Sequence, residues 1–291
     1  MKVILSRKGF DSANGGVANP ILPDGRLCPL PIPDARSERR YADMRFAHAG
    51  LPATHQQLGA LVSDLTNGKI GANDRGHLDP DLDADHVVRA AGWRPAFGQA
   101  GAAQGHLHNQ SIGEGDLFLF YGWFRQVELV NERLQYVVNA PDVHVIYGWL
   151  QVDSVCDPGC DAGKNISTWL RDHPHCGPGF ARRNAIYVAR KRLTLPDVGG
   201  TIEGGGLFST YHPNRQLTAT ARTLRSQWRL PGWFYPTAPA HALSYHGQMA
   251  RWQRCDDHVL LQTVGRGQEF VLDCAHYPQC AAWLAELFAD R

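Results

Sequence analysis

Residues 115–152 constrain this chain most, because they read as three β-strands in succession. Gly115 and Asp116 open a run of large apolar residues over 117–123 that ends at Phe124 and Arg125. Asn131 and Glu132 supply turn chemistry before a second apolar run at 134–138. The segment Asn139-Ala140-Pro141-Asp142 breaks the chain again, since proline lacks a ladder donor and Asn and Asp favour turns. A third run follows at 143–152. The first run has almost no polar alternation, which predicts a strand buried on both faces. The glycine–aromatic steps Gly122-Trp123 and Gly148-Trp149 mark places where a strand bends or another backbone comes close. Such a meander predicts the wall of a strongly curved, largely antiparallel sheet or a partly open barrel. Asp116, Arg125, His144 and Gln151 then fall at its rim.

The rest of the chain fits one α+β domain over 1–291 with long loops and a C-terminal helix. Residues 2–6 read as a first strand, too short and too soon polar for a signal peptide. Residues 54–66 are a predicted helix: Leu58, Leu61, Val62 and Leu65 share one face, Thr54 is placed to cap the start and Asn67-Gly68 to end it. Residues 70–114 are loop-rich, with a short helix over 85–91 behind an acidic lead. Residues 184–190 read as a strand, and glycines 199, 200 and 204–206 as a flexible loop. A hairpin is predicted from 259–264 and 268–273 around Gly265-Arg266-Gly267. Residues 279–290 place Trp283, Leu284, Leu287 and Phe288 on one helical face. No apolar run approaches the roughly 20 residues of a membrane span. Seven cysteines, an odd number, point to a reducing cytoplasm rather than a disulfide framework.

Net charge is +1, so no global field draws the chain to nucleic acid. Its distribution is uneven. Residues 181–230 carry nine Arg or Lys against Asp197 and Glu203, and residues 74–85 carry five Asp against Arg75. A phosphate-facing side and a separate acidic edge would produce this segregation, as would two solvated faces. If the ligand is polymeric DNA, Arg182, Arg183, Arg190, Lys191, Arg192, Arg222 and Arg225 include the expected phosphate contacts.

The most unusual local sequence is 7–16. It packs Arg7, Lys8, Asp11, Ser12, Asn14 and close-approach glycines into ten residues directly after a strand ending in Ser6. Backbone N–H groups exposed by glycine beside two cations suit a phosphate or another anion. Asp11 and Lys8 are the candidate acid–base or anchoring groups. The loop matches neither the Walker nor the dinucleotide fingerprint, and its bland alternative is a tight surface turn. His77 and Asp79 sit within a second cluster that also holds Asp81, Asp83, Asp85 and His86; a His and carboxylates can hold a divalent ion or divide acid and base roles, although the segment lacks the glycine and terminal glutamate of a calcium loop. Gln104, His106, Arg125, His144, His173 and His175 complete the candidate substrate-binding set with Ser6, Arg7, Ser12 and Asn14. Cys156, Cys160, His173, His175 and Cys176 offer zinc-type donors at a permissive spacing with no second CxxC to close the set. No metal ligand and no cofactor is assigned.

Three stretches carry a family resemblance: Ser6-Arg7-Lys8-Gly9-Phe10-Asp11 with the proline-rich pieces at 19–23 and 29–33, residues 115–125, and residues 144–152. Together they resemble the family called nucleotide modification associated domain 3, over nearly the whole chain. The resemblance implies a role in bacterial or phage systems that modify DNA bases, with nucleotide or DNA as ligand and other proteins of such a system as partners. It does not require the Cys156 and Cys160 pair. The meander alone also resembles PUA and EVE-type barrels that bind unusual bases. Two functions remain open: an enzyme modifying a nucleobase or nucleotide, with Asp11, Lys8, His77 and Asp79 as catalytic groups, or a binding module that recognises an altered base. Asp and His abundance on loops favours the enzyme.

Overall fold

Strand alternation sorts the core into two faces of one sheet. The computed structural model of the chain describes residues 1–46, 51–159, 166–177, 179–180, 183–196, 198–220, 224–265 and 267–289. Its strands, in chain order, begin with β1 (Lys2–Arg7), β2 (Asn19–Ile21), β3 (Ile32–Pro33), β4 (Gly76–His77) and β5 (Ala96–Ala100). The long central strands are β6 (Leu117–Val130), paired at its far end with β7 (Arg133–Tyr136), and β8 (Val143–Cys156). Then come β9 (Asn184–Ala189), β10 (Gly205–Leu207), β11 (Gln227–Pro231), β12 (Trp252–Arg254), β13 (His258–Gln262) and β14 (Glu269–Asp273). The helices are α1 (Leu58–Leu65), α2 (Gly101–Asn109) and α3 (Cys280–Ala289).

Among the described residues nine strands form the main sheet in the order β14-β1-β6-β8-β9-β5, with β10 on β8 and β2 and β7 on β6. Val3, Leu5, Leu117, Leu119 and Tyr121 pack on one face with Trp283, Leu284, Leu287 and Phe288 of α3. Ile4, Phe118 and Phe120 turn to the other face, with Phe97, Val145, Tyr187 and Leu107 of α2. There Phe97 lies 5.1 Å from both Phe118 and Phe120, centroid to centroid. Such aromatic pairs add about 0.5–1.5 kcal/mol each beyond the area they bury. A third cluster joins Leu58, Leu61, Val62 and Leu65 of α1 to Phe10, Leu30, Tyr41 and Leu78.

The two glycine–aromatic steps are close approaches, as expected. A Cβ at Gly122 would lie 2.9 Å from the Lys8 carbonyl, and one at Gly148 would lie 3.0 Å from that of Gly206. The β6–β8 pairing also shifts register between Phe120 and Tyr121, so Tyr147 stands out of the ladder.

The main sheet is largely antiparallel, as expected, and mixed, because β1 and β2 run parallel to β6. It forms no closed barrel among the described residues, since β14 and β5 end the order unpaired with each other. Several other expectations are corrected. The C-terminal hairpin does not form. β13 pairs with β11 and β12, whereas β14 pairs with β1, so a long-range apolar partner wins over the sequence neighbour. Residues 70–114 contain β5 and α2; α2 escapes a periodicity reading because Leu107 is its lone large apolar residue. Residues 84–86 make a single 3-10 turn where a helix over 85–91 was expected. Part of the glycine loop is β10, laid against β8. α1 starts at Leu58 behind Gln57, so Thr54 does not cap it, while Asn67 and Gly68 do end it with φ of 53° and 75°.

Candidate active site

The topology brings four pieces of chain to one place. They are the loop after β1, the residues from β4 to Asp79, the middle of β5, and the 3-10 turn Pro174–Cys176. A cleft of about 190 Å³ there is lined by Arg7, Lys8, Asp11, Asn14, Asp34, Arg36, His77, Asp79, Gln99 and His175, among others.

Asp79 is the hub. Its Oδ1 accepts the Gly98 N–H at 2.7 Å. His173 Nε2 lies 3.3 Å from the same oxygen without completing a hydrogen bond, and it is buried with no other partner. Oδ2 faces His77 Nε2 at 3.9 Å and His175 Nε2 at 3.7 Å. Each imidazole is held from behind. His175 Nδ1 is 2.7 Å from Asn184 Oδ1, and Asn184 Nδ2 donates to the His175 carbonyl at 2.8 Å. That second bond fixes the amide, so Nδ1 must be the protonated nitrogen of His175. His77 Nδ1 faces Asp34 Oδ2 at 3.4 Å. Gly98 permits this packing, because a Cβ there would lie 2.3 Å from the His175 ring. Phe180 stacks on that ring at 4.1 Å between centroids.

Burial pushes the Asp79 carboxyl up, but the surrounding His173, His175 and His77 outweigh it and hold the group at about 2. Burial lowers His175 to about 4 and also lowers His77, each against the opposing field of Asp79. Near neutral pH the site therefore presents an ionised Asp79 carboxylate beside neutral His77 and His175. His77, Asp79 and His175 each offer a donor atom within 4.8 Å of the others, which makes them the described residues able to share a metal ion.

A second polar centre adjoins the first. Lys8 Nζ lies 2.8 Å from Glu269 Oε1, the same oxygen that accepts from Gln99 Nε2. Glu269 Oε2 is buried with no hydrogen-bond partner. Sequence reasoning passed over Glu269, Gln99, Asp34 and Asn184. The available signal for Glu269 was a lone carboxylate opening an apolar strand, Glu-Phe-Val-Leu.

The predicted site residues divide. Lys8, Asp11, Asn14, His77, Asp79 and His175 come together at this cleft, with Arg7 at its edge. His173 sits behind Asp79 and lines an adjoining cleft of about 510 Å³ that shares Asp34, Arg36 and His77. Asp11 Oδ1 accepts from the backbone of Ala13 and Asn14 and from the Asn14 side chain, so it staples its own loop. Ser6 Oγ is buried without a partner.

Arg7, Asp11, Ser12, Arg125 and His144 line a third cleft of about 810 Å³, with Tyr121, Trp123 and Arg225. Arg7 and Asp11 are common to it and the small cleft, and Arg7 Nε is buried without a hydrogen-bond partner. Arg225 lies 4.1 Å over the Trp123 ring and donates to Ser12 Oγ. Arg125 Nε donates to the Ala140 carbonyl at 2.9 Å. His144 Nδ1 accepts from Trp228 Nε1 at 3.0 Å, which fixes it as a neutral acceptor in the floor. Gln104 and His106 line none of these clefts: Gln104 accepts from the Tyr187 hydroxyl, and His106 Nε2 meets Ser244 Oγ at 3.0 Å.

The cysteine set does not assemble among the described residues. Cys160 lies outside them, and Cys176 Sγ donates to the Leu170 carbonyl. Of the basic stretch, Arg182 and Arg222 also lie outside the described residues. Arg190 pairs with Glu114 and Arg229 with Asp257, Arg215 is buried against the end of α3, and Arg225 alone of these lines a cleft.

No match was found among curated proteins or among solved structures. The sequence pattern of one family, described as Nucleotide modification associated domain 3, matches residues 2–273, which takes in both polar centres and all three clefts. The chain therefore belongs to the nucleotide modification associated domain 3 family.

Proposed function

We propose that this chain is an enzyme that modifies a nucleobase or nucleotide within a DNA base modification system, with the small cleft as its active centre. The observation that carries this reading is the convergence of two buried polar centres, Asp79 with His77 and His175, and Glu269 with Lys8, on one cleft. Buried ionisable groups that perturb one another and converge on a cleft mark a candidate catalytic centre. Arg7, which joins the small and large clefts, is the residue placed to take a phosphate, and Arg36, paired with Asp34, also lines the small cleft. In this reading His77 and Asp79 act at the reacting group, Lys8 and Glu269 hold or move a proton, and Asp11 shapes the phosphate-facing loop.

The larger cleft supports recognition rather than chemistry. Tyr121, Trp123 and Arg225 there provide aromatic faces and a cation suited to a base and its phosphate. A pure binding module would need this cleft alone and would leave the two buried centres without a role. No helix of the described residues is long and apolar enough to cross a membrane, and the proposed setting is cytoplasmic.

The test is mass spectrometry of nucleosides from cells expressing the chain with the proteins of its native system. A modified nucleoside should appear with the native chain and vanish with Asp79→Asn and with Glu269→Gln, while both variants still fold. Unchanged modification in both folded variants would overturn the enzymatic reading in favour of the binding module.

A further inference from the structure

We propose that His77 Nε2, Asp79 Oδ2 and His175 Nε2 are three ligands of one divalent transition-metal ion whose remaining positions face the small cleft. The proposal deepens the reading of that cleft as an active centre, but its geometric basis holds whatever the substrate.

The spacing comes first. Oδ2 stands 3.9 Å and 3.7 Å from the two Nε2 atoms, and a donor atom from each residue lies within 4.8 Å of the others. These separations are too long for hydrogen bonds. Ligands about 2.0–2.2 Å from a common ion stand roughly 3 to 4 Å apart, the range in which both separations from Oδ2 fall. Proton placement comes second. Asn184 forces the His175 proton onto Nδ1, so a nitrogen lone pair and a carboxylate oxygen face each other with no hydrogen between them. A cation between them turns that repulsion into two bonds.

The outer partners also match what metal ligands need. Metal-bound imidazoles give their other ring nitrogen to a carboxylate or carbonyl, which orients the ring and raises its basicity. Asn184 does this for His175, Asp34 Oδ2 stands 3.4 Å from Nδ1 of His77 on the side away from Asp79 Oδ2, and the Gly98 N–H fixes the carboxylate through its other oxygen. His173 Nε2, buried and without a hydrogen-bond partner, is the donor placed to steady Oδ1 as Oδ2 turns to the ion. Two imidazoles and one carboxylate select zinc, iron(II), manganese or cobalt over calcium and magnesium, which prefer oxygen sets. Three protein ligands leave room for water or substrate, so the ion can polarise an oxygen or lower the pKa of a bound water at the cleft.

The experiment uses the full chain, stripped with chelator and titrated with Co²⁺ while its visible absorption is read, alongside metal content after loading with Zn²⁺. The native chain should retain about one equivalent and give the bands of a nitrogen- and oxygen-ligated cobalt site. His175→Gln and Asp79→Asn should lose both signals. Asn184→Ala, which keeps every ligand, should bind Co²⁺ about 10–100-fold more weakly. As a check on folding, Zn²⁺ should raise the unfolding temperature of the native chain but not of the two ligand variants. Absence of retained metal, of cobalt bands and of a Zn²⁺-dependent shift in the native chain would overturn the proposal. Equal affinity of the native chain and Asn184→Ala would overturn the assignment of His175. Metal binding in a chain that leaves cellular nucleosides unchanged would uphold this site and sink the enzymatic reading instead.

Discussion

Lys8 Nζ lies 2.8 Å from Glu269 Oε1, with side-chain exposures of 11% and 1%, so the ion pair is almost dry. Removing one member of a buried pair strands the other charge, at a penalty of about 3–5 kcal/mol. The two members are not equivalent. Lys8 lines the cleft, while Glu269 is enclosed and keeps only Gln99 as a second donor to its charged group. Lys8→Met should therefore destabilise the chain by about 3 kcal/mol, and Glu269→Leu by less. The double variant should recover much of the loss, since no isolated charge remains. Denaturant unfolding of the four proteins checks this; a Lys8→Met variant within about 1 kcal/mol of native would mean that water already reaches Glu269.

Gly98 has a different role in the neighbouring centre. Its backbone N–H holds Asp79 Oδ1, and its missing side chain leaves room for the His175 ring. A Cβ 2.3 Å from that ring cannot be accommodated without moving it. Because Asn184 and Phe180 grip the ring from two sides, Gly98→Ala should cost about 1–3 kcal/mol, the usual range for overpacking. Nucleoside modification should fall far more than stability does. A crystal structure of the variant with His175 unmoved would refute the steric account.

How much of this was legible in the sequence follows from the range of the interactions. β1, β6, β8, α1 and α3 announce themselves through apolar runs or helical periodicity, which are local signals. The separation of β13 from β14 was not legible, because β14 gains its partner β1 from the opposite end of the chain. At the site, His77-x-Asp79 and His173-x-His175 stood out as polar clusters, but nothing local says that they meet; β5 and β9 make that meeting. Asn184 read only as the first residue of a strand, although its amide orients His175. His106 and Gln104 misled for the same reason in reverse. Polar residues beside a sheet look like a rim, yet α2 turns them onto Ser244 and Tyr187.

His144 provides a pH signature away from the proposed metal ligands. It faces Tyr121, Trp228, Arg7 and Arg225, and burial, aided by the two arginines, lowers it to about 3. His246, enclosed against Phe270 and bonded to the Ser244 carbonyl, is lowered by burial to about 4. Both are neutral in the folded chain and gain a proton near pH 6.5 when unfolded. Between about pH 6.5 and 4 the unfolded state therefore binds more protons, and stability falls as pH drops, by up to about 1.4 kcal/mol per pH unit for each group. His144→Gln should remove one such contribution from the slope measured by denaturant unfolding at pH 7, 6 and 5. An unchanged slope would show that His144 is protonated at little penalty in the folded chain.

The last prediction concerns phosphate. The basic character of 181–230 raised the prospect of a long polymer contact, but Arg190 and Arg229 are ion-paired and Arg215 is buried. Of the cations lining the small and large clefts, Lys8, Arg36 and Arg125 face carboxylates, which leaves Arg225 over Trp123 and Arg7 between the two cavities. Two cations of this kind fit one or two phosphates. Binding of a short single-stranded oligonucleotide should then weaken with salt along a log–log slope of about −0.7 to −1.4, near −0.7 per phosphate neutralised. Arg7→Ala with Arg225→Ala should flatten that slope nearly to zero, while Arg190→Ala should leave it unchanged. Fluorescence anisotropy at several salt concentrations measures all three. A slope of about −5 or steeper that persists in the double variant would require many further phosphate contacts, and the ligand would then be held along the polymer rather than at the clefts.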